Sequence, residues 1–443
     1  MNPAHVPYLE QQAPRYTSYP TAPHFHHGVN ETVVRDWLSG LPQSAALSLY
    51  VHVPYCQYLC WYCGCNTFAA RRPEPIAAFT ENVLREIELV GDVVGARRVK
   101  ELHWGGGTPN ILSPDQFRRI HHQITFWFDI ASDLHHAIEL DPRRLTDDQI
   151  AAYAELGVTR ASIGAQDFNP HVQQAIGRFQ PTEVVRNAVD RLRGAGIAQI
   201  NLDLMYGLPL QSIGDLLRSV RIAASMSPQR IALFGYAHVP WFKKRQRLID
   251  ENALPSAAHR FDQAEAARAE LSALGYISVG LDHFALPSDD LALAAHRGQL
   301  RRGFQGYTTG EAEQVVGFGP SAVSILPQGY AQNHSIMGHW SRAILDGKLP
   351  ILRGFAVSDE DRRRATVIEQ IMCAFEADLT PLGGAANLGP ELAALRPLVA
   401  DELVVIADDR VVIPAQGRPF CRLVAKAFDT YAQSAPTRHS GAV

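Results

Sequence analysis

Residues 47–66, LSLYVHVPYCQYLCWYCGCN, carry the pattern that predicts the fold of this chain. Every second residue from Leu47 to Val53 is apolar, and this alternation is typical of a β-strand. Pro54 lacks a backbone N–H and ends the strand pattern. We therefore expect a thiol-rich loop at the carboxyl end of an early strand, where α/β folds place their functional groups. Its four cysteines are Cys56, Cys60, Cys63 and Cys65.

The spacing of these cysteines favours an iron–sulfur cluster over two other kinds of site. Structural zinc sites take their thiolates from two separated pairs, whereas these cysteines form one continuous run. Disulfides are typical of small secreted scaffolds, and the start of this chain has no signal-peptide apolar core. A Cys-x3-Cys-x2-Cys triplet can bind three irons of a four-iron cluster and leave the fourth open. Zinc stays open as the alternative.

The cysteine triplet resembles the signature of the radical S-adenosylmethionine (SAM) enzymes. With the additional Cys65, the string YVHVPYCQYLCWYCGCN resembles one family among them, the oxygen-independent coproporphyrinogen III dehydrogenases, also called oxidases. The resemblance covers nearly the whole chain. It continues in PRYTSYPT at 14–21, HWGGGTP at 103–109, ELDP at 139–142, IGAQDFN at 163–169, NLDLMYGLP at 201–209, YAHVP at 236–240, LDHFA at 281–285, FQGYTT at 304–309 and FDTY at 428–431.

Strand and helix patterns alternate six times between residue 47 and about residue 240. Consecutive βα units form parallel strands with right-handed crossovers, so the pattern predicts an α/β fold. Six units are fewer than the eight of a closed barrel, and one side is therefore left open. The resemblance implies the same architecture, a partial (βα)6 TIM-like radical SAM barrel. We expect this catalytic barrel and its extensions to occupy residues 36–350.

Two further segments flank the predicted barrel. Residues 1–35 are rich in Pro, His and Tyr, which predicts an N-terminal arm on the body, and the resemblance places it near the active site. Residues 351–443 contain helix patterns and a hairpin pattern, which predict a small α+β C-terminal domain with a winged-helix-like order. We expect a cap over the barrel mouth rather than a DNA-binding module, because the hairpin turn carries Asp408 and Asp409.

The composition disfavours several classes of protein. Lys and Arg number 41 against 45 Asp and Glu, and the resulting net charge of −4 gives no support for nucleic-acid binding. Hydrophobic residues make up 46 % of the 443 residues, but no uncharged run reaches the length of a membrane span. We expect a cytoplasmic protein, because a reducing compartment preserves an exposed cluster.

Candidate site residues follow the cysteine loop and several strand ends. The glycines at 105–107 lack Cβ atoms, so they can approach a ligand closely and offer it N–H groups. The resemblance implies that Cys56, Cys60 and Cys63 bind the cluster. It implies that one SAM, and a second SAM beside it, contact Tyr50, Tyr62, Gly106, Gly107, Thr108, Glu139, Gln166, Arg178, Asp203, Ala237 and Val323. Around Arg178 the chain has GRFQ where the family commonly has NREQ, a departure at the second SAM.

The resemblance also implies a reaction of haem biosynthesis. An electron from a [4Fe–4S] cluster splits SAM, and the 5′-deoxyadenosyl radical starts the oxidative decarboxylation of coproporphyrinogen III to protoporphyrinogen IX. The full reaction uses two SAM, and the electrons come from a one-electron donor such as flavodoxin or ferredoxin. We expect a monomer. Arginine suits the carboxylates of this substrate, and Arg297, Arg301 and Arg302 are candidates.

Two other functions are compatible with parts of the pattern. Haem-chaperone-type relatives keep the cysteine triplet, but they usually have Phe where this chain has Cys65. A zinc- or DNA-binding regulator built on the C-terminal hairpin is the other alternative. Metal analysis separates the regulator from the leading hypothesis, because a regulator binds about one zinc and a cluster contains about four irons. Haem binding without turnover would favour the haem-chaperone alternative.

Overall fold

A computed structural model describes residues 5–310, 312–432 and 441 of the chain. The first four residues of the predicted arm lie outside the described residues. So do residues 433–440 and 442–443 of the predicted C-terminal domain. None of the helices within the described ranges is long and apolar enough to cross a membrane.

The described strands, in chain order, are β1 (Ala46–Val53), β2 (Tyr55–Cys56), β3 (Phe68–Ala69), β4 (Arg98–Gly106), β5 (Asp129–Leu140), β6 (Arg160–Gln166), β7 (Gln199–Tyr206), β8 (Arg230–Gly235), β9 (Ile277–Val279), β10 (His283–Ala285), β11 (Arg301–Gly303), β12 (Gly306–Thr308), β13 (Gln314–Phe318), β14 (Val323–Leu326), β15 (Gly329–Asn333), β16 (Ile351–Ala356), β17 (Glu376–Asp378), β18 (Val405–Ala407) and β19 (Arg410–Val412). The described α-helices are α1 (Val6–Leu9), α2 (Glu31–Ser39), α3 (Pro73–Val94), α4 (Pro114–Trp127), α5 (Asp147–Glu155), α6 (Pro170–Ala175), α7 (Thr182–Gly194), α8 (Ile213–Ser225), α9 (Ala257–Ala273), α10 (Asp290–His296), α11 (Met337–Leu345), α12 (Asp359–Ala374), α13 (Gly389–Ala400) and α14 (Cys421–Ala427).

Six parallel strands form the centre of a twelve-stranded sheet. Their order is β1-β4-β5-β6-β7-β8, and one or two helices lie between each strand and the next. Each strand pairs in parallel with its successor, as the alternating βα pattern predicts. Their apolar side chains form the main hydrophobic core with the covering helices. The predicted α/β fold with a partial (βα)6 barrel is confirmed.

The starts of two barrel helices follow from local sequence signals. Ser113 and Gln116 form a capping box at α4, which has Pro114 at its first position. Thr146 and Gln149 form the same arrangement at α5. Each box satisfies two backbone N–H groups that a helix start leaves open, and losing such a cap costs about 1 kcal/mol. These bonds fix where the chain turns back after β4 and β5.

Further strands extend the sheet on both sides of the barrel strands. On one side β13 pairs in parallel with β1, and β14, β15 and β16 continue antiparallel. On the other side β10 pairs with β8, β9 pairs with β10, and both pairs are antiparallel. The pairing of β13 with β1 places Leu47 opposite Gln314. These residues are so distant in sequence that no local pattern indicates the contact.

The N-terminal arm and the C-terminal domain share a second hydrophobic core. Tyr8, Leu9 and Tyr16 of the arm belong to it together with α12, α13, α14 and the small sheet β17-β19-β18. The hydroxyl of Tyr16 donates to Asp429 at 3.0 Å, and Arg422 donates to the Pro14 carbonyl at 2.9 Å. The arm is therefore packed against the C-terminal domain.

The predicted boundary at residue 35 falls within α2, and the one at residue 350 falls immediately before β16. Helix α2 crosses residue 35 and buries Val34 and Leu38 in the main core. Strand β16 follows residue 350 and pairs with β15, so the large sheet continues to Ala356. Helix α2 therefore packs with the main core, and β16 belongs to the large sheet.

Candidate active site

A cavity of about 490 Å³ lies at the carboxyl ends of the six parallel strands. Parallel strands bring their carboxyl ends to one edge of a sheet, and functional groups of barrel enzymes gather there. The cysteine loop reaches this edge because it follows β1 directly. Residues from the ends of β4, β5, β6 and β7, and from the segment after β8, complete the wall: Gly106, Glu139, Gln166, Asp203 and Ala237.

Most of the predicted site residues line this cavity. Tyr50 and Val323 are not part of its wall. The Tyr50 ring stacks on His103 with 5.8 Å between ring centroids, and the Val323 carbonyl lies against Gly317 of β13. The structure brings together Cys56, Cys60, Tyr62, Cys63, Gly106, Gly107, Thr108, Glu139, Gln166, Arg178, Asp203 and Ala237.

Backbone hydrogen bonds hold the cysteine loop in place. Strand β2 pairs with β3, and the Ala70 N–H donates to the Cys56 carbonyl at 2.9 Å. Further along, the Trp61 N–H donates to the Ile176 carbonyl at 3.0 Å. The Trp61 ring lies on Gly177, where a Cβ atom would stand 2.7 Å from the indole Nε1. The loop is thus fastened both to its own strand pair and to the end of α6.

The sulfurs of Cys56 and Cys60 each have a polar neighbour. Thr67 Oγ1 donates to Cys56 Sγ at 3.5 Å. Arg178 Nη1 donates to Cys60 Sγ at 3.5 Å. Hydrogen bonds to sulfur are one means by which proteins set the potential of an iron–sulfur cluster. Both neighbours are therefore placed to influence a cluster bound here.

Cys65 influences the thiol of Cys63. The hydrogen bond with Cys65 lowers the pKa of Cys63 against the opposing effect of burial. The positive charges of Lys243 and Arg178 lower this pKa further. Lys243 Nζ also donates to the Cys65 carbonyl at 3.1 Å. These contacts favour the thiolate, which is the form that binds metals.

The donor set fits a four-iron cluster better than a single zinc ion. Within residues 5–310, 312–432 and 441, no three His, Cys, Asp or Glu side chains are grouped so that they could hold one metal ion. Cluster thiolates bind separate irons and stand further apart than the ligands of one tetrahedral zinc. Cys56, Cys60 and Cys63 nevertheless share one cavity wall. Beside them Arg178 Nε is buried without a hydrogen-bond partner in the described part of the chain, while the other nitrogens of this guanidinium contact Cys60 Sγ and Asp141.

The glycine segment at the end of β4 lets its backbone lie close to the start of the cysteine loop, but its N–H groups are not open to a ligand. A Cβ atom on Gly107 would stand 2.6 Å from the Tyr55 carbonyl oxygen, so a larger residue does not fit. The Gly106 N–H donates to Glu139 Oε2 at 3.2 Å, and the Gly107 N–H donates to the Val53 carbonyl at 2.7 Å. Contrary to the sequence-based expectation, these N–H groups bond within the protein, because the tight turn points them at neighbouring strands.

Two carboxylates at the end of β5 have different surroundings. Glu139 Oε1 lies 3.2 Å from His103 Nε2, and its side chain is 44 % exposed. Asp141 receives the Arg143 guanidinium at 2.6 Å and lies 3.6 Å from Arg178. Burial favours the protonated form of Asp141, but Arg178 and Arg143 outweigh it and lower the pKa. Asp141 is therefore a fixed partner of these arginines, and Glu139 is the carboxylate more open to a ligand.

Gln166 occupies a strained backbone position at the end of β6. Its φ angle is +67°, in the left-handed region that side chains other than glycine rarely adopt. The pairing of β6 with β7 shifts register between Gly164 and Gln166, as at a β-bulge. Such strain costs on the order of 1–3 kcal/mol and is common at binding sites. The irregularity lies where Gln166 joins the cavity wall.

Asp203 is a carboxylate of the cavity wall with a raised pKa. Burial, and next the negative charge of Glu139, raise its pKa to about 6. Ser162 Oγ donates to one Asp203 oxygen at 3.0 Å, and Asn201 Nδ2 donates to the other at 2.7 Å. Two donors hold the side chain in one orientation within the cavity.

Two residues of the site were missed by local sequence reasoning. Arg15 of the arm lines the cavity and donates to the Gly235 carbonyl at 3.4 Å. The buried Gln246 donates to the Tyr62 carbonyl at 2.8 Å and the Ala237 carbonyl at 3.2 Å. The arm string PRYTSYPT was the sole signal for Arg15, and Gln246 lies in a segment without a recognisable motif.

The three arginines proposed for the substrate lie in different places. Arg297 is exposed after α10. Arg301 forms ion pairs with Glu313 at 3.3 Å and Glu369 at 3.2 Å. Arg302 lines a second cavity that adjoins the first. The structure therefore keeps Arg302 near the site and gives Arg301 a structural contact.

Comparisons with known proteins show the family. Residues 50–222 match the Radical SAM superfamily. An oxygen-independent coproporphyrinogen III oxidase from Bradyrhizobium diazoefficiens is 45 % identical over 444 aligned residues, which cover 99 % of each chain. This chain belongs to the oxygen-independent coproporphyrinogen III oxidase family. The predicted family and the predicted class of radical SAM oxidoreductase are thus confirmed.

A second relative and a solved structure show the same similarity. The oxygen-independent coproporphyrinogen III oxidase of Escherichia coli is 35 % identical, over 94 % of this chain and 93 % of that protein. A solved structure of the Escherichia coli coproporphyrinogen III oxidase, described as a radical SAM enzyme, has a TM-score of 0.90 and 34 % identity. That comparison covers 95 % of this chain and 100 % of the solved one. The similarity therefore extends over nearly the whole chain.

Proposed function

We propose that this protein catalyses the oxygen-independent oxidative decarboxylation of coproporphyrinogen III to protoporphyrinogen IX in haem biosynthesis. The observation that carries the proposal is one cavity lined by Cys56, Cys60 and Cys63 and by the barrel strand ends. The full-length similarity to coproporphyrinogen III oxidases supports the choice of substrate. The cofactors are a [4Fe–4S] cluster and SAM.

The cysteine triplet holds the cluster, and neighbouring residues adjust its surroundings. Cys56, Cys60 and Cys63 bind as thiolates and leave one iron without a cysteine ligand. When bound, the cluster would supply one electron to SAM, and SAM would supply the carbon-centred radical that removes a hydrogen atom from the substrate, whose loss of CO2 then passes one electron to an acceptor. Arg178 donates to Cys60 Sγ at 3.5 Å, and a positive donor at this sulfur stabilises added negative charge.

The cavity wall around the cysteine loop binds SAM. Glu139 accepts a hydrogen bond from a cationic group of SAM, because its side chain is partly open to the cavity. The ring of Tyr62 packs against adenine, and Gly106, Gly107 and Thr108 permit a close approach. The residues that bind a second SAM are Gln166, Arg178, Asp203 and Ala237. The full reaction uses two SAM. Tyr50 and Val323 support this wall from the neighbouring strands.

A basic patch beside the cysteine loop suits an acidic one-electron donor such as flavodoxin or ferredoxin. Arg71, Arg72, Arg143 and Arg144 line a surface depression together with Tyr58. The guanidinium groups of Arg71 and Arg144 lie 5.6 and 5.9 Å from the centre of the Tyr58 ring, which is 57 % exposed. Complementary charge accelerates association between proteins.

We further propose that the protein acts as a cytoplasmic monomer whose arm and C-terminal domain cap the barrel mouth. The shared core of these two segments supports the cap, and so does Arg15, which reaches the cavity from the arm. Outside the cysteine loop, Cys373 and Cys421 form no disulfide within the described residues, as is typical of a reducing compartment.

The proposed function is tested by anaerobic turnover of the reduced protein with SAM and coproporphyrinogen III. We expect methionine, 5′-deoxyadenosine, carbon dioxide and protoporphyrinogen IX, with about two SAM consumed per product molecule. Stoichiometric haem binding without any vinyl product would contradict the proposal and favour the haem-chaperone alternative. Zinc in place of iron after anaerobic purification would contradict the cluster assignment.

A further inference from the structure

A second cavity, of about 70 Å³, adjoins the active-site cavity. The two cavities share the wall residues Arg15, Phe234, Gly235 and Ala237. The arm, helix α9, strand β11 and helix α14 all contribute to the smaller cavity. A group bound there can therefore belong to a larger molecule in the active-site cavity.

The wall of the smaller cavity is strongly basic. Glu265 and Asp282 are its acidic residues. Side chains that are distant in sequence converge on it. The arginines of this wall, which we name the arginine pocket, are Arg15, Arg260, Arg268, Arg302 and Arg422.

The two acidic residues have partners of their own. Arg268 Nε donates to Glu265 Oε1 at 3.2 Å. His283 Nδ1 lies 2.8 Å from Asp282 Oδ1. Burial favours the protonated form of Asp282, but the hydrogen bond with His283 and the charge of Arg302 lower its pKa to about 2. These two carboxylates leave the arginine pocket with a surplus of positive charge.

Two guanidinium nitrogens of the pocket lack an acceptor. Arg260 Nε and Arg302 Nη1 are buried, and neither makes a hydrogen bond within the described residues. Two other nitrogens of Arg302 donate to the Arg15 carbonyl at 3.3 Å. Buried donors without partners are rare and costly in folded proteins. The pocket is therefore built to receive acceptor oxygens.

We propose that the arginine pocket binds a carboxylate of the substrate, a propionate of coproporphyrinogen III, while the macrocycle lies in the active-site cavity. This inference rests on the proposed function. Arg presents paired N–H donors that match the two oxygens of a carboxylate. A volume of about 70 Å³ accommodates a carboxylate group but not a tetrapyrrole. The pocket fixes which propionate faces the cofactors and so positions the substrate.

The binding test compares two pocket variants with a matched control. Holoprotein carrying Arg260→Gln or Arg302→Gln is titrated without air with coproporphyrin III, the oxidised macrocycle with the same propionates, and fluorescence is recorded. We expect each variant to raise Kd about 10- to 100-fold, because a charge-assisted hydrogen bond is lost. The control is Arg221→Gln, since Arg221 is an exposed arginine that pairs with Glu270 at 2.6 Å on the outer side of α9. Its Kd should equal that of the wild type.

A second set of ligands identifies the bound group. The tetramethyl ester of coproporphyrin III keeps the ring but lacks carboxylates, so its Kd should be the same for the wild type and Arg260→Gln. SAM carries a carboxylate of the same chemistry, and its Kd should also be unchanged in this variant. Unchanged binding of coproporphyrin III to both variants would overturn the proposal. An equal loss for the ester, or a loss confined to SAM, would overturn it as well.

Wild-type turnover separates failure of the pocket from failure of the enzyme assignment. Suppose the wild type forms protoporphyrinogen IX while Arg260→Gln binds coproporphyrin III as tightly as the wild type. The pocket assignment then fails, and the proposed function stands. If the wild type cleaves SAM but forms no vinyl product, the proposed function itself fails. In the expected case Arg260→Gln raises KM for coproporphyrinogen III and leaves KM for SAM unchanged.

Discussion

Glu86 is a buried carboxylate whose protonation can be tested directly. It lies on α3 and is 1 % exposed. Its oxygens accept hydrogen bonds from the Gly319 N–H at 2.7 Å, Asn333 Nδ2 at 2.6 Å and Trp340 Nε1 at 3.2 Å. These contacts fasten α3 to the strands β13–β15 and to α11. The protonation of Glu86 is therefore coupled to the packing of the sheet extension behind β1.

Burial and hydrogen bonding have opposite effects on Glu86. Burial outweighs the three donors and raises the pKa from 4.5 to about 8. The folded protein thus keeps a proton that the unfolded chain loses near pH 4.5. The stability from this proton is fully present below about pH 4.5 and is lost as pH rises through about 8. At about 1.4 kcal/mol per unit, the whole change is on the order of 5 kcal/mol.

Glu86→Gln removes this titration and leaves the side-chain volume nearly unchanged. We expect the free energy of unfolding of the wild type to fall by several kcal/mol relative to Glu86→Gln between about pH 5 and about pH 9. Urea unfolding of both proteins across this range is the measurement. Glu88→Gln is the control, because Glu88 lies on the exposed face of the same helix and should follow the wild type. Parallel profiles for wild type and Glu86→Gln would show that the three donors keep the carboxylate ionised and would refute the reasoning.

Three further predictions concern the active site. Cys60→Ala should abolish both the iron–sulfur absorbance and product formation, whereas Cys373→Ala, outside the cavity, should retain both; a colourless but active Cys60→Ala enzyme would contradict the cluster assignment. Glu139→Ala should raise the Kd of SAM about 10-fold or more with the iron content unchanged, and equilibrium binding checks this. The pKa of Asp203 is raised to about 6, so the stability that its proton provides is lost as pH rises through 6. Between about pH 4 and pH 6 the free energy of unfolding should therefore fall less for Asp203→Asn than for the wild type, and urea unfolding measures this difference.

The cysteine loop and the barrel could be predicted because their signals are local. The alternation from Leu47 to Val53 specifies a strand, and Pro54 ends it. Capping boxes mark the starts of α4 and α5. Once strands and helices alternate, right-handed crossovers bring the strand ends to one edge. The shared cavity of Cys56 and Glu139 follows from that rule.

Other features depend on contacts between distant segments. Arg260 and Arg302 meet in the arginine pocket because α9 and β11 fold to one side of the barrel mouth. Neither residue has a periodic or motif context that distinguishes it from a surface arginine. Tyr50 is on the predicted strand, yet the pairing of β1 with β4 directs its ring to His103 rather than into the cavity wall.

The amino-acid sequence by itself determined the thiol loop and the order of the βα units, because short-range periodicity and residue spacing encode them, and its motif strings carried the resemblance to the family. The tertiary structure alone decided the pairing of β13 with β1, the burial of Glu86 and the convergence of arginines at the barrel mouth. The physical reason is that strand pairing and charge burial depend on which distant segments meet. The packing of the whole chain decides which segments meet, and a short stretch of sequence does not indicate it.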